Sequence, residues 1–320
     1  MTYSIVALDA ATGDLGVAVQ SKFLAVGAVV PWARASVGAI ATQSFANVAY
    51  GPDGLARLAG GASAPAALDA LVAADALRDQ RQAGIVDAHG GAATHTGRHC
   101  FAWAGGRTGA GFAAQGNILA GAAVVDGLAE TFLAGGRPFP ELLVACLAAA
   151  DAQGGDRRGR ESAALYVVRD GAGYGGGNDR WIDLRVDDHP DPIGELARLL
   201  DLQRLYLDRP AVDDLLRVDE SLAGELRALL GGVGAGPGSS FAAVYQPMSA
   251  LTSDDEPAER EARPATGTPA PLPMSWDQAW QGALEDWMSV ENLEERTAAP
   301  GWIDRRVLVF LRDKAAAGGS

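Results

Sequence analysis

Short apolar runs rich in β-branched and small residues open the chain. Residues 4–9 and 15–20 read as strands, and Ala11-Thr12-Gly13-Asp14 between them has the chemistry of a hairpin turn. Residues 26–30 and 37–43 predict two more strands, with Pro31 at a strand end because it cannot donate to a ladder. The period then changes. Tyr50-Gly51-Pro52-Asp53 opens a helix that runs to Leu58, and Ser63 caps a second over 64–74, with Pro65 accommodated in its first turn. Strand-like stretches return at 83–88, 91–96 and 100–104. Two helices follow at 122–134 and 139–152, then a strand pair at 163–168 and 181–186. A helix starting at His189-Pro190-Asp191-Pro192 carries Ile193, Leu196, Leu199 and Leu200 at helical spacing. Blocks of strands separated by pairs of helices predict an α+β fold with antiparallel sheets between helical layers. Strict strand–helix alternation, the mark of a doubly wound sheet, is absent.

The pattern weakens near residue 231. Residues 231–240 are rich in Gly, Pro and Ser, and 252–273 combine acids, Pro, Thr and Ala with few large apolar side chains, which predicts a disordered insert. Periodicity resumes at Trp276 and continues to Leu311. Trp276, Trp280, Leu284 and Trp287 fall on one helical face, expected to pack as the core of a small module that also contains Ile303, Val307 and Leu311. The boundaries are therefore 1–208 for a first domain and 209–320 for a helical module interrupted at about 232–274.

Charge and cysteine content narrow the function classes. Forty acids against 26 bases give a net charge of −14 with no basic stripe, a poor match to nucleic acid or an anionic membrane. No apolar run reaches the ~20 residues of a membrane span. Cys100 and Cys146 alone make no disulfide framework, and no signal sequence opens the chain, so a reducing, cytoplasmic setting is expected.

The candidate chemistry begins at Met1-Thr2. The second side chain is small, so an aminopeptidase can remove Met1 and leave a hydroxyl and a free α-amine on one residue. That amine can act as general base for its own hydroxyl, as in N-terminal-nucleophile (Ntn) hydrolases. Ser4 would serve this way only after a cut behind Tyr3, and is expected instead as a strand residue facing solvent. Gln43, Asn47, Gln115 and Asn117 are amides in glycine-rich surroundings, suited to an oxyanion or a substrate amide, or to turn and cap hydrogen bonds. His89, His95, His99 and Cys100 crowd together, but their spacing fits no compact zinc pattern, so no metal and no cofactor is expected. Gly171-Ala-Gly173-Tyr-Gly-Gly176 spells a dinucleotide fingerprint, yet the next element is a strand rather than a helix, so it reads as a hairpin turn.

Several stretches together resemble a bacterial family catalogued as a domain of unknown function, number ten-twenty-eight, grouped with the Ntn hydrolases. They are Thr2-Tyr-Ser-Ile-Val-Ala7, Gly16-Val-Ala-Val-Gln-Ser-Lys-Phe23, Val30-Pro-Trp32, Gly38-Ala-Ile-Ala-Thr-Gln43 and Tyr50-Gly-Pro52. Gln115-Gly-Asn-Ile-Leu-Ala-Gly121, Gly154-Gly-Asp-Arg-Arg-Gly159 and Asp187-Asp-His-Pro-Asp-Pro192 continue the match, which runs almost continuously over 1–207. Trp287, Glu291-Asn-Leu-Glu294, Arg296, Ile303-Asp304 and Val307-Leu308 resemble the peptidoglycan-binding module that accompanies this family. The resemblance implies a four-layer αββα sandwich. Ntn enzymes place a cation and a carboxylate beside the terminal nucleophile, and Lys22 and Asp156 are the candidates here. Asp156 stands in Asp156-Arg-Arg-Gly rather than the Asp-x-x-Ser-Gly of proteasome-like relatives. Its other reading is a surface charge cluster with Arg157, Arg158 and Arg160. The leading expectation is an amidohydrolase acting on a small amide or peptide-like bond. The rival is a non-catalytic binding protein whose partner is a peptidoglycan fragment or a protein.

Overall fold

The computed structural model describes residues 2–239 and 265–318. The chain divides into two compact units, 1–201 and 202–320.

The first unit is built on two antiparallel sheets. The larger contains β1 (Thr2–Leu8), β2 (Leu15–Ser21), β7 (Gly105–Gly109), β8 (Phe112–Asn117), β9 (Ser162–Val168) and β10 (Arg180–Val186), in the order β10-β9-β2-β1-β8-β7. The smaller contains β3 (Pro31–Arg34), β4 (Gly38–Ser44), β5 (Arg81–Asp87) and β6 (Ala92–Thr96), in that order. Alternation along β1 separates two cores. Tyr3, Ile5 and Ala7 pack against α3 (Ala122–Ala134) and α4 (Phe139–Ala152). Val6 and Leu8 join Leu15, Val17 and Val19 of β2 and Ala39, Ala41 and Val86 of the smaller sheet. A third core joins Ile40, Ala83 and Ile85 to α1 (Tyr50–Ala59) and α2 (Ala64–Ala74). The Ser63 hydroxyl accepts the Ala66 N–H at the start of α2, the cap its sequence predicts.

Two expected strands are displaced. Residues 26–28 form a 3-10 turn entered through Ala25 at φ 53°, and the Val26 N–H is taken by the Ser162 hydroxyl. Pro31 sits at a strand end as expected, as the first residue of β3. The strand expected at 100–104 lies at Gly105–Gly109, followed by β8. Glycines at 105, 106, 109, 111 and 116 remove the β-branched signature that marks a strand. The glycine run at 171–176 lies between antiparallel β9 and β10, as a hairpin turn requires.

The second unit contains β11 (Leu215–Arg217), α6 (Glu220–Gly232), α7 (Gln278–Val290), β12 (Trp302–Asp304) and α8 (Arg305–Ala316), and α5 (Pro192–Leu207) spans the division between the units. β11 and β12 pair antiparallel, and Ile303 sits in β12, ahead of α8. Trp276 and Trp287 are fully buried, whereas Trp280 and Trp302 are half-buried. Trp276 precedes α7, whose N-cap is Asp277, and its indole N–H donates to Gln281 Oε1 at 3.0 Å. It occupies the staple position just before the cap, which continues the helical spacing without belonging to the helix. Buried Arg296 pairs with Asp304 at 2.8 Å, and its remaining donors reach the Arg204 and Leu205 carbonyls. Of the low-complexity insert, residues 240–264 lie outside the described residues.

Candidate functional site

β1 is an inner strand, paired on both sides. Its first residue, Thr2, stands opposite Ser21 of β2 and Asn117 of β8, so three polar residues meet at one end of three adjacent strands. The Thr2 and Ser21 hydroxyls are 3.0 Å apart. Alternation aims Thr2, Ser4, Val6 and Leu8 at the smaller sheet. The space between the sheets is therefore graded: apolar around Val6 and Leu8, polar around Ser4, and open at Thr2.

The polar section is a network of buried amides. Ser4 Oγ donates to Gln43 Oε1 at 2.7 Å and accepts from Gln115 Nε2 at 2.7 Å. Gln43 Nε2 donates to Gln82 Oε1 at 2.8 Å and to the Thr2 carbonyl at 3.3 Å. Asn117 Nδ2 also donates to Gln82 Oε1, at 2.9 Å. Gln82 Nε2 in turn reaches the Gly116 carbonyl at 2.7 Å. Burying an amide is costly unless it is hydrogen-bonded, and within this mesh the amide atom left without a partner is Gln115 Oε1. Gly84 makes room for it: a Cβ there would stand 2.1 Å from Gln115 Oε1. Ser4, expected to face solvent, is instead fully buried at the centre of the network, because its β1 face is covered by the smaller sheet.

Thr2, Ser21, Gln43 and Asn117 form the floor of a cleft of about 580 Å³. One wall comes from the segment after β2, with Phe23, Val26, Val29 and Val30. Phe45, Phe101 and Ile118 contribute another, and Arg81 and Arg158 supply its cations. Ser44 and Ile118, both lining residues, hold φ values of 70° and 54°. A β-branched residue at positive φ is strained by about 1–3 kcal/mol, and such strain concentrates at functional sites.

The other candidates separate. Asp156 is buried and accepts the Lys22 N–H at 2.9 Å and the Arg158 N–H at 2.8 Å, with Arg158 Nη2 at 3.4 Å. The Lys22 ammonium pairs with Glu161 at 3.0 Å and does not line the cleft. Gln115 lies below the floor. Asn47 Nδ2 bonds to Asp75 at 3.0 Å, away from the lining residues. His95 Nε2 meets the Arg78 carbonyl at 3.0 Å, and the Cys100 thiol, raised by burial, donates to the Arg81 carbonyl. No group of three metal-ligating side chains occurs among the described residues, and none of their helices is long and apolar enough to cross a membrane.

Ser21, Gln82, Arg81 and the three phenylalanines were not legible as site residues. Gln82 alone carried a signal, a polar side chain at the inward phase of an apolar strand.

The Asp75–Arg81 pair buttresses the cleft. Arg81 Nε donates to Asp75 at 2.9 Å, and its Nη1 reaches the Phe45 carbonyl. Burial alone would raise the Asp75 carboxyl. Hydrogen bonds from Arg81, Asn47 and the Leu77 N–H outweigh it and hold the group far below the usual carboxylate range. Burial, reinforced by Asp75, pushes the Tyr50 hydroxyl up to about 12. A depressed folded pKa stabilises the protein above the ordinary Asp value of about 3.9, and that stability disappears as pH falls through and below it. Asp75→Asn is expected to cost about 3 kcal/mol at neutral pH. In urea denaturation the gap from wild type should close as the medium is acidified. A gap unchanged at acid pH would show that the carboxylate charge contributes nothing.

Residues 270–311 match a family described as "Putative peptidoglycan binding domain". No curated protein matches the chain. The crystal structure of protein SPO2555 from Silicibacter pomeroyi, a DUF1028 protein, is similar, with 31% identity and a TM-score of 0.58. The alignment covers 63% of this chain and 89% of that one. Residues 2–196, more than half of the chain, match the family of unknown function DUF1028, and the protein belongs to that family.

Proposed function

We propose that the first domain, residues 1–208, is an Ntn-type amidohydrolase with an αββα layering, and that Thr2, freed by removal of Met1, is its nucleophile. One observation carries this: Thr2 is the first residue of an inner strand paired on both sides, with its hydroxyl on the floor of the cleft. The three cores of the first unit support the layering.

In this reading Thr2 Oγ1 attacks the amide carbonyl carbon while its proton passes to the α-amine. The C–N bond then breaks, the leaving amine takes that proton, and an ester remains on Oγ1. The Thr2 α-amine, neutral again, deprotonates a water that attacks the ester. The C–Oγ1 bond breaks, Oγ1 recovers the proton, and a carboxylic acid leaves. Asn117 is the amide best placed for the oxyanion, since Gln43 already holds the Thr2 carbonyl. Asp156 positions the turn after β2 through the Lys22 N–H, and Arg158 takes the cation's place in the cleft. The Lys22 ammonium lies outside it, paired with Glu161.

The base is an α-amine of ordinary pKa about 7.7–8.0, so kcat/KM for amide turnover should rise through that range as the amine loses its proton. A profile flat from pH 6 to 9 would overturn the amine as base. The match at 270–311 favours a second role, contact of the C-terminal module (209–320) with a peptidoglycan fragment. Retention of the full chain on purified peptidoglycan tests it.

A further inference from the structure

The cleft has a composition that the proposed mechanism does not require. Phe23, Phe45 and Phe101 stand at it, each more than half exposed. The Phe45 and Phe101 rings are 6.3 Å apart and tilted by 53°. Three exposed aromatic rings at one cleft are apolar area that remains unburied until a ligand covers it. Val26, Val29 and Val30 continue the same surface inward.

The charge at the cleft runs against that of the chain. The protein carries −14, yet among the described residues no acidic side chain lines the cleft, and two arginines do. Arg81 is mostly buried, and its ion pair holds Asp75 behind the wall. Arg158 lines the cleft, is 47% exposed, and contacts Asp156 at 3.4 Å. A guanidinium at the edge of an apolar cleft whose described lining residues include no acidic side chain suits a carboxylate. The volume of about 580 Å³ is that of a single small-molecule site.

We infer that the cleft binds an N-acylated amino acid or short peptide whose acyl group is apolar and whose free carboxylate meets Arg158. The acyl chain lies along the phenylalanine rim, and the amide falls at Thr2. The placement of the amide rests on the nucleophile reading above. The recognition of an apolar, anionic ligand does not.

The test uses the full-length Thr2→Ala chain, in which alanine still permits removal of Met1 but no hydroxyl can attack. Titration calorimetry compares N-decanoylglycine, the neutral N-decanoylglycinamide and the short N-acetylglycine. N-decanoylglycine should bind, with each of the other two at least ~10-fold weaker. Adding Arg158→Gln should erase the preference for the acid over the amide, and Arg158→Lys should restore part of it. Adding Phe101→Ala should weaken both decanoyl ligands alike. Phe101 is exposed, so Phe101→Ala is expected to keep the wild-type melting profile; Arg158 pairs with buried Asp156, so binding by its variants is compared at a temperature below the melting transition of each. No binding of N-decanoylglycine, equal binding of acid and amide, or a preference that survives Arg158→Gln would overturn the inference. Because the test reads binding in a chain that cannot turn over, it stands apart from the nucleophile: a catalytic Thr2 with no preference for the acid sinks only the ligand class.

Discussion

Thr2→Ala is expected to leave the fold intact and to lower amide turnover by at least ~10³-fold. The structural cost is small. Thr2 contributes one hydroxyl contact, to Ser21 at 3.0 Å, worth about 1 kcal/mol, while its backbone pairing with β2 and β8 is unchanged. The chemical cost is the attacking atom itself. Thr2→Ser keeps a hydroxyl and an α-amine on the same residue and should retain measurable turnover. Ser4→Ala gives the opposite result. It removes a hydroxyl that joins Gln43 to Gln115 in a fully buried network, so it should cost about 1–3 kcal/mol of stability. Turnover per folded molecule should stay near that of wild type. Equal turnover in wild type and Thr2→Ala would refute the mechanism.

The second large effect lies in the C-terminal unit. Trp287 is 1% exposed, packs beside Phe310 with ring centroids 6.1 Å apart, and shares a core with Trp276, Leu226, Leu284 and Val307. Trp287→Ala should cost about 3–5 kcal/mol, a large share of the stability of so small a unit. Its helical signal should melt first in urea, and retention on peptidoglycan should fail with it. Trp280 is only half-buried, stacked on Trp276 and faced by Arg227. Trp280→Ala should leave helicity in place. Loss of peptidoglycan retention in that variant would mark Trp280 as a sugar-stacking ring, whereas unaltered retention would confine Trp280 to packing.

The legible parts of the fold were those whose local chemistry acts alone. Ser63 and Pro65 announce α2, and the apolar runs of β1 and β2 carry their own period. The segment around Val26 misled because its valines point inward from a turn, fixed by a hydroxyl 136 residues away. The glycine-rich β7 and β8 carry little propensity and are held by ladder partners. For the site, the composition near Thr2, Gln43 and Asn117 pointed to strand ends that meet at one cleft. It could not reveal that Lys22 turns to Glu161, that Asn47 serves Asp75, or that three phenylalanines distant in sequence converge on one cleft. Those facts depend on tertiary register, which a single chain pattern does not encode.

Thr2 is proposed as an N-terminal nucleophile, and that role has a direct chemical signature. It is tested most directly by the intact mass of the purified chain after treatment with an N-decanoyl peptide epoxyketone. The carbonyl of this probe takes a hydroxyl and its epoxide takes an amine on the same residue. The expected product is a chain lacking Met1 and carrying one probe, absent in Thr2→Ala. A chain that retains Met1, or a processed chain that hydrolyses amides yet never takes up the probe, would contradict it.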